Sequence, residues 1–95
     1  MSTFTDDEIA AALEDLHGWS ADGDAITKTY EFADFRTALD FMNRAAGPIE
    51  EADHHPEWTN VYNRVDVRLS SHDVGGVTDR DTRLATVLER VAAAS

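Results

Sequence analysis

Apolar positions recur along this chain with two different periods, and the switch between them marks out its elements. Ile9, Ala12, Leu13 and Leu16 fall at helical spacing. Thr5, with Glu8 three residues on, is a capping-box pattern ahead of them, and Gly18 is a stop signal behind them, so a first amphipathic helix is predicted in between. Residues 19–21 and 25–31 then read as extended, the second run carrying Ile26, Thr27, Thr29 and Tyr30. Asp22-Gly23-Asp24 between them is a tight-turn signal, which predicts a hairpin.

The helical period returns after Asp34, a good N-cap residue: Phe35, Ala38, Leu39, Met42, Ala45, Ala46 and Ile49 fall on one face of a second helix. Gly47-Pro48 interrupts it, because proline lacks the backbone donor and its ring crowds the carbonyl of Arg44. A kink or two abutting helices are expected there, with residues 50–54 helical beyond. From Glu57 the chain is rich in strand formers. Val61, Asn63, Val65, Val67 and Leu69 alternate with Tyr62, Arg64, Asp66, Arg68 and Ser70, and two antiparallel strands are predicted to meet near Asn63-Arg64. Gly75-Gly76 breaks the chain, Thr78 with Asp81 repeats the capping-box pattern, and Leu84, Val87, Leu88 and Val91 mark the last helix. The order α-β-β-α-β-β-α has no βαβ rhythm. It predicts one small two-layer α+β domain over residues 1–95, a four-stranded antiparallel sheet covered on one face by helices.

Composition narrows the function classes. A chain of 95 residues buries somewhat under roughly 70% of its unfolded surface, so an open cleft or a shared interface is the expected kind of site. Cysteine is absent, which rules out a disulfide framework, a thiolate nucleophile and a zinc–thiolate centre. The first residues are acidic rather than basic and apolar, and no apolar run approaches the roughly 20 residues of a bilayer span, so a soluble cytoplasmic protein is expected. Nineteen acidic against eight basic residues give a net charge of −11, which repels nucleic-acid backbones and anionic membranes. A small molecule or another protein is the expected partner. The Asp-rich surface, with Lys28 as the only lysine, also looks like that of proteins from salt-loaded cytoplasms, where screening removes the self-repulsion; high-GC coding favours Arg over Lys as well.

Three of the four histidines, His54, His55 and His72, lie within one span that covers the second strand pair. Histidine both gives and takes protons near neutral pH, so the span suggests a proton-transfer site. Each residue also has a plainer role open to it. His54-His55-Pro56 suits a helix exit, since the residue before proline avoids the helical region and histidine interacts well with a helix C-terminus. His72 suits a solvated loop, Asp81 suits the N3 position of the last helix, and Trp58 suits the core. His17, one residue before Gly18, reads as a helix end without further role. A zinc site on the three histidines lacks support, because adjacent side chains diverge and no His-x-His or His-x-x-x-His spacing is present.

Residues 53–58 (Asp-His-His-Pro-Glu-Trp), 60–63 (Asn-Val-Tyr-Asn), the 65–69 strand, Ser71-His72, Gly75-Gly76 and the Thr78-x-x-Asp81 helix start together resemble the signature of the pterin-4a-carbinolamine dehydratases. Phe41-Met42-Asn43-Arg44 and Leu84-Ala85 are similar to that family too, so the likeness takes in most of the C-terminal two thirds. The resemblance implies dehydration of 4a-hydroxytetrahydropterin, with no metal or organic cofactor. His54 and His72 would form the proton-transfer pair, and His55 would bind and orient the pterin. Asp53, Ser70, Ser71 and Asp73 would line the site with them, and Asp81 would fix the orientation or protonation of a histidine. The resemblance further implies a homodimer or homotetramer and, as upstream partner, an aromatic amino-acid hydroxylase. Two alternatives stay open alongside it: a non-catalytic dimerisation scaffold, and the same chemistry on another, molybdopterin-related pterin.

Overall fold

The computed structural model describes residues 3–95. Seven elements follow in the predicted order: α1 (Asp6–Leu13), β1 (Ser20–Asp22), β2 (Ala25–Glu31), α2 (Phe35–Ala52), β3 (Glu57–Val61), β4 (Arg64–Leu69) and α3 (Asp79–Ala93). All strand pairs are antiparallel, in the spatial order β1-β2-β4-β3. After β2 the chain crosses over through α2, lays β3 at the far edge and returns with β4 between them. Ile26 faces Leu69 and Tyr30 faces Val65 in this register, so one side of the central strands is apolar.

That apolar side is where the helices pack. Phe41 of α2 is fully buried, with its ring centroid 5.0 Å from Tyr30, 5.1 Å from Phe32 and 6.3 Å from Trp58, while α3 adds Leu84, Ala85 and Leu88 to the same cluster. Trp58 joins this core from the edge strand while staying half-buried. On the opposite side Thr29 donates to Asp66 at 2.7 Å and Arg68 reaches Asp22 and Asp24, a polar face left to solvent. Phe35 and Leu39 of α2 are 45% and 40% exposed, leaving an apolar strip of that helix uncovered.

Three boundaries differ from the sequence expectation. The helix α2 is not divided into two abutting helices at Gly47-Pro48; it runs through Pro48 and closes at Ala52, two residues short of His54. Ala45 and Ile49 are buried on either side of the proline, and this tertiary burial, about 1.5–3 kcal/mol for the isoleucine alone, offsets much of the roughly 3 kcal/mol that an interior proline costs. The regular part of α1 stops at Leu13, and tighter turns to the carbonyls of residues 11–13 carry the chain on to Gly18, whose φ of +85° makes the exit. The second hairpin turns at Tyr62-Asn63, one residue early, with Tyr62 in the left-handed region. Asn60 steadies that turn by donating to the carbonyls of Tyr62 and Arg64.

Candidate active site

The α2–β3 junction and the β4–α3 loop meet at one end of the sheet, because β3 enters at Glu57 opposite Arg68, one residue before β4 ends. Asp53 closes α2 in the left-handed conformation, φ +48°, its N–H donating to the carbonyl of Glu50. The two residues after it part company: His54 is 8% exposed and His55 is on the surface. Across from them Ser71 starts a compact loop. Its N–H donates to the carbonyl of Gly76, and its own carbonyl accepts from the amides of Val74, Gly75 and Gly76.

Asp81 is the centre of the buried part. As residue N3 of α3 it closes a capping box with Thr78, whose backbone N–H donates to Asp81 Oδ2 at 2.9 Å. Ser71 Oγ donates to the same oxygen at 2.9 Å, and Asp81 Oδ1 lies 2.5 Å from His54 Nε2. Asp81 has no exposed surface and Ser71 only 1%. A carboxylate accepts, so His54 donates from Nε2, and Nδ1 is the ring nitrogen left for another partner. That nitrogen has no hydrogen-bond partner among the described residues, where the buried side-chain nitrogen or oxygen left unpaired is Arg80 Nε, so Nδ1 is not sealed in. The ring lines a cavity of about 170 Å³ together with Pro48, Ala52, Arg80, Arg83 and Leu84.

His55 and His72 stand in water, each beside its own carboxylate. His55 Nε2 is 2.9 Å from Glu50 Oε1, next to a second cavity of about 210 Å³ that Ile49, Pro56 and Trp58 help to line. His72 Nε2 is 3.0 Å from Glu57 Oε1. Three histidines facing three different carboxylates do not make a ligand cluster, and among the described residues no three His, Asp or Glu groups converge in a metal-holding set.

Of the remaining residues singled out in the sequence, Ser70 donates its hydroxyl to the carbonyl of Asp24 at 2.7 Å, and Asp53 is exposed. Asp73 accepts from Arg80 Nη2 at 2.7 Å; this bond holds the Asp73 carboxyl below its ordinary value and the Arg80 guanidinium above its own. The structure thus gathers His54, Ser71 and Asp81 into one network and sets His55, His72, Asp53 and Asp73 on the surface at the same end of the sheet. Glu50 and Glu57 were not singled out in the sequence. Both lie close to the histidine motif, but nothing in their spacing showed that they would reach imidazoles.

Comparison with known proteins adds to this geometry. A family model described as pterin 4 alpha carbinolamine dehydratase matches residues 2–91. A protein of Nitrobacter winogradskyi is 50% identical over 91 residues, covering 94% of this chain and 90% of the relative, and one of Paraburkholderia xenovorans is 47% identical over 91 residues, covering 94% and 95%. Both carry provisional pterin-4-alpha-carbinolamine dehydratase names. The crystal structure of a transcriptional coactivator/pterin dehydratase from Brucella melitensis superposes with a TM-score of 0.92 at 46% identity, covering 96% of this chain and 99% of that one. A pterin dehydratase-like protein identified as a RuBisCO assembly factor of the alpha-carboxysome has a TM-score of 0.66 at 17% identity, covering 81% and 89%, a likeness of fold alone.

Proposed function

Because this chain belongs to the pterin-4a-carbinolamine dehydratase family, we propose that it dehydrates a 4a-hydroxytetrahydropterin to the quinonoid dihydropterin, with His54 and His72 as the proton-transfer pair. In that reaction the 4a-hydroxyl accepts a proton and leaves as water while N5 gives up its proton, so one group acts as acid, the other as base, and no net proton is consumed. The observation that carries the reading is the buried contact of 2.5 Å between His54 and Asp81. It supports Nε2 as the donor to Asp81, with Nδ1 as the nitrogen that exchanges a proton with the substrate in this reading. His72, on a loop braced by Ser71 and Gly76, is the second proton carrier, and His55 with Asp53 and Asp73 contributes the polar groups that orient the amino-pyrimidinone edge.

The substrate is the product of pterin-dependent aromatic hydroxylation, which makes an aromatic amino-acid hydroxylase the upstream partner. The uncovered strip of Phe35 and Leu39 supports a homodimer or homotetramer. The test is the decay of freshly generated 4a-hydroxytetrahydropterin followed by absorbance, with wild type, His54→Ala and His72→Ala, in low and molar salt. Wild type should accelerate the decay, and each substitution should cut that acceleration by about 10²- to 10⁴-fold. A folded wild-type protein without acceleration in either salt would move the reading to a scaffold or to a different pterin.

A further inference from the structure

Counting hydrogens around Asp81 gives a direction to every bond in the buried network. The carboxylate has no hydrogen to give, so the single hydroxyl hydrogen of Ser71 goes to Asp81 Oδ2. Ser71 Oγ and Thr78 Oγ1 are 2.9 Å apart, and with the Ser71 hydrogen already committed, Thr78 must be the donor between them. Thr78 Oγ1 in turn accepts from the backbone N–H of Arg80, in the first turn of α3. A one-way chain results, from the Arg80 amide through Thr78 and Ser71 to Asp81 Oδ2, where the Thr78 amide also ends. Two donors on Oδ2 fix the plane of the carboxylate and leave Oδ1 to His54 alone.

We infer that Ser71 is a positioning residue for the dehydration, acting on His54 through Asp81 rather than on the pterin. This inference rests on the dehydratase reading and assigns a role inside that site. A side chain with 1% exposure cannot touch a substrate, and its one hydroxyl hydrogen is already given to Asp81 while its oxygen accepts from Thr78. The side chain and backbone of Ser71 serve different histidines. The side chain holds the carboxylate behind His54, while the backbone closes the loop that begins with His72. Ser71→Ala removes the first function and leaves the second intact.

The test compares Ser71→Ala and Ser71→Thr with wild type by steady-state kinetics and by proton NMR of the free protein, in which the short Asp81–His54 bond gives a low-field resonance. Ser71→Ala should lower kcat by about 10- to 100-fold with KM unchanged and move the low-field resonance upfield. Ser71→Thr, which keeps the hydroxyl, should restore both. If Ser71→Ala does not fold, Ser71→Cys, of similar volume but a weak donor, is measured in its place. A rise in KM at constant kcat would overturn the inference, because Ser71 would then be contacting substrate. So would a resonance that stays in place, and this readout needs no turnover, which separates it from a failure of the dehydratase reading, shown by an inactive wild type.

Discussion

Thr5 and Glu8 at the start of α1 exchange the same two hydrogen bonds as Thr78 and Asp81 at the start of α3. The surroundings of the two boxes differ. Thr5 and Glu8 stand in water, and their side chains serve the amides of that helix start at 2.9 and 3.2 Å. Asp81 is sealed from solvent, serves the Thr78 amide, and still presents an oxygen to His54. The same four-residue pattern is therefore a fastening in one place and a fastening with a proton-handling partner in the other. What separates them is burial and the third side chain that burial brings within reach.

The strongest way to break this comparison is Asp81→Ala. Removing one partner of a buried pair should cost about 3–5 kcal/mol in urea unfolding and abolish the dehydratase acceleration. A variant that lost less than about 1 kcal/mol, the scale of an exposed cap, would make the two boxes equivalent. A sharper control lies further along α3, where Glu89 Oε1 accepts from Lys28 Nζ at 2.5 Å, Trp19 Nε1 at 2.7 Å and the Tyr30 hydroxyl at 3.0 Å. None of these donors is an imidazole, and burial pushes the Tyr30 hydroxyl well above its ordinary value, with Glu89 adding to it. Glu89→Gln should lose about 1–2 kcal/mol and leave the dehydration rate unchanged.

Acidity distinguishes Glu89 as well. Burial raises the Glu89 carboxyl, but the hydrogen bonds from Lys28, Trp19 and Tyr30 outweigh it and hold the group below its ordinary value. A depressed folded value means that this stabilisation is complete above the ordinary glutamate value of about 4.3 and is lost as pH falls through the folded one. Acid unfolding followed by tryptophan fluorescence should therefore be shallower in Glu89→Gln than in wild type, and equal slopes would deny Glu89 that role. The smallest effect belongs to Thr5→Ala, about 1 kcal/mol in thermal or urea unfolding with the rate unchanged.

Most of the fold was legible in the sequence because its signals are local. Both capping boxes, the Asp34 cap, the turn at Gly23 and the alternation of β4 need only neighbours a few residues away. Pro48 left a kink and two abutting helices equally open, because its cost is local while the burial of Ala45 and Ile49 that keeps the helix in one piece is tertiary. The same division runs through the site. Asp81 could be singled out from its cap position, but that it meets His54, 27 residues earlier, is decided by how α2 and α3 pack. Ser71 was marked beside His72 as a group lining the site, and only the packed structure turns its hydroxyl toward Asp81. Glu89 carried no signal at all, since its three donors come from β2 and the residue before β1.

The α3 cap also ties function to local opening. Thr78 N–H is held by the same carboxylate that holds His54, so fraying of the first turn of α3 loosens the group that positions the imidazole. Hydrogen exchange at the Thr78 amide would then count the molecules whose site has come apart, and the thermal loss of activity would follow that local equilibrium rather than the melting of the sheet.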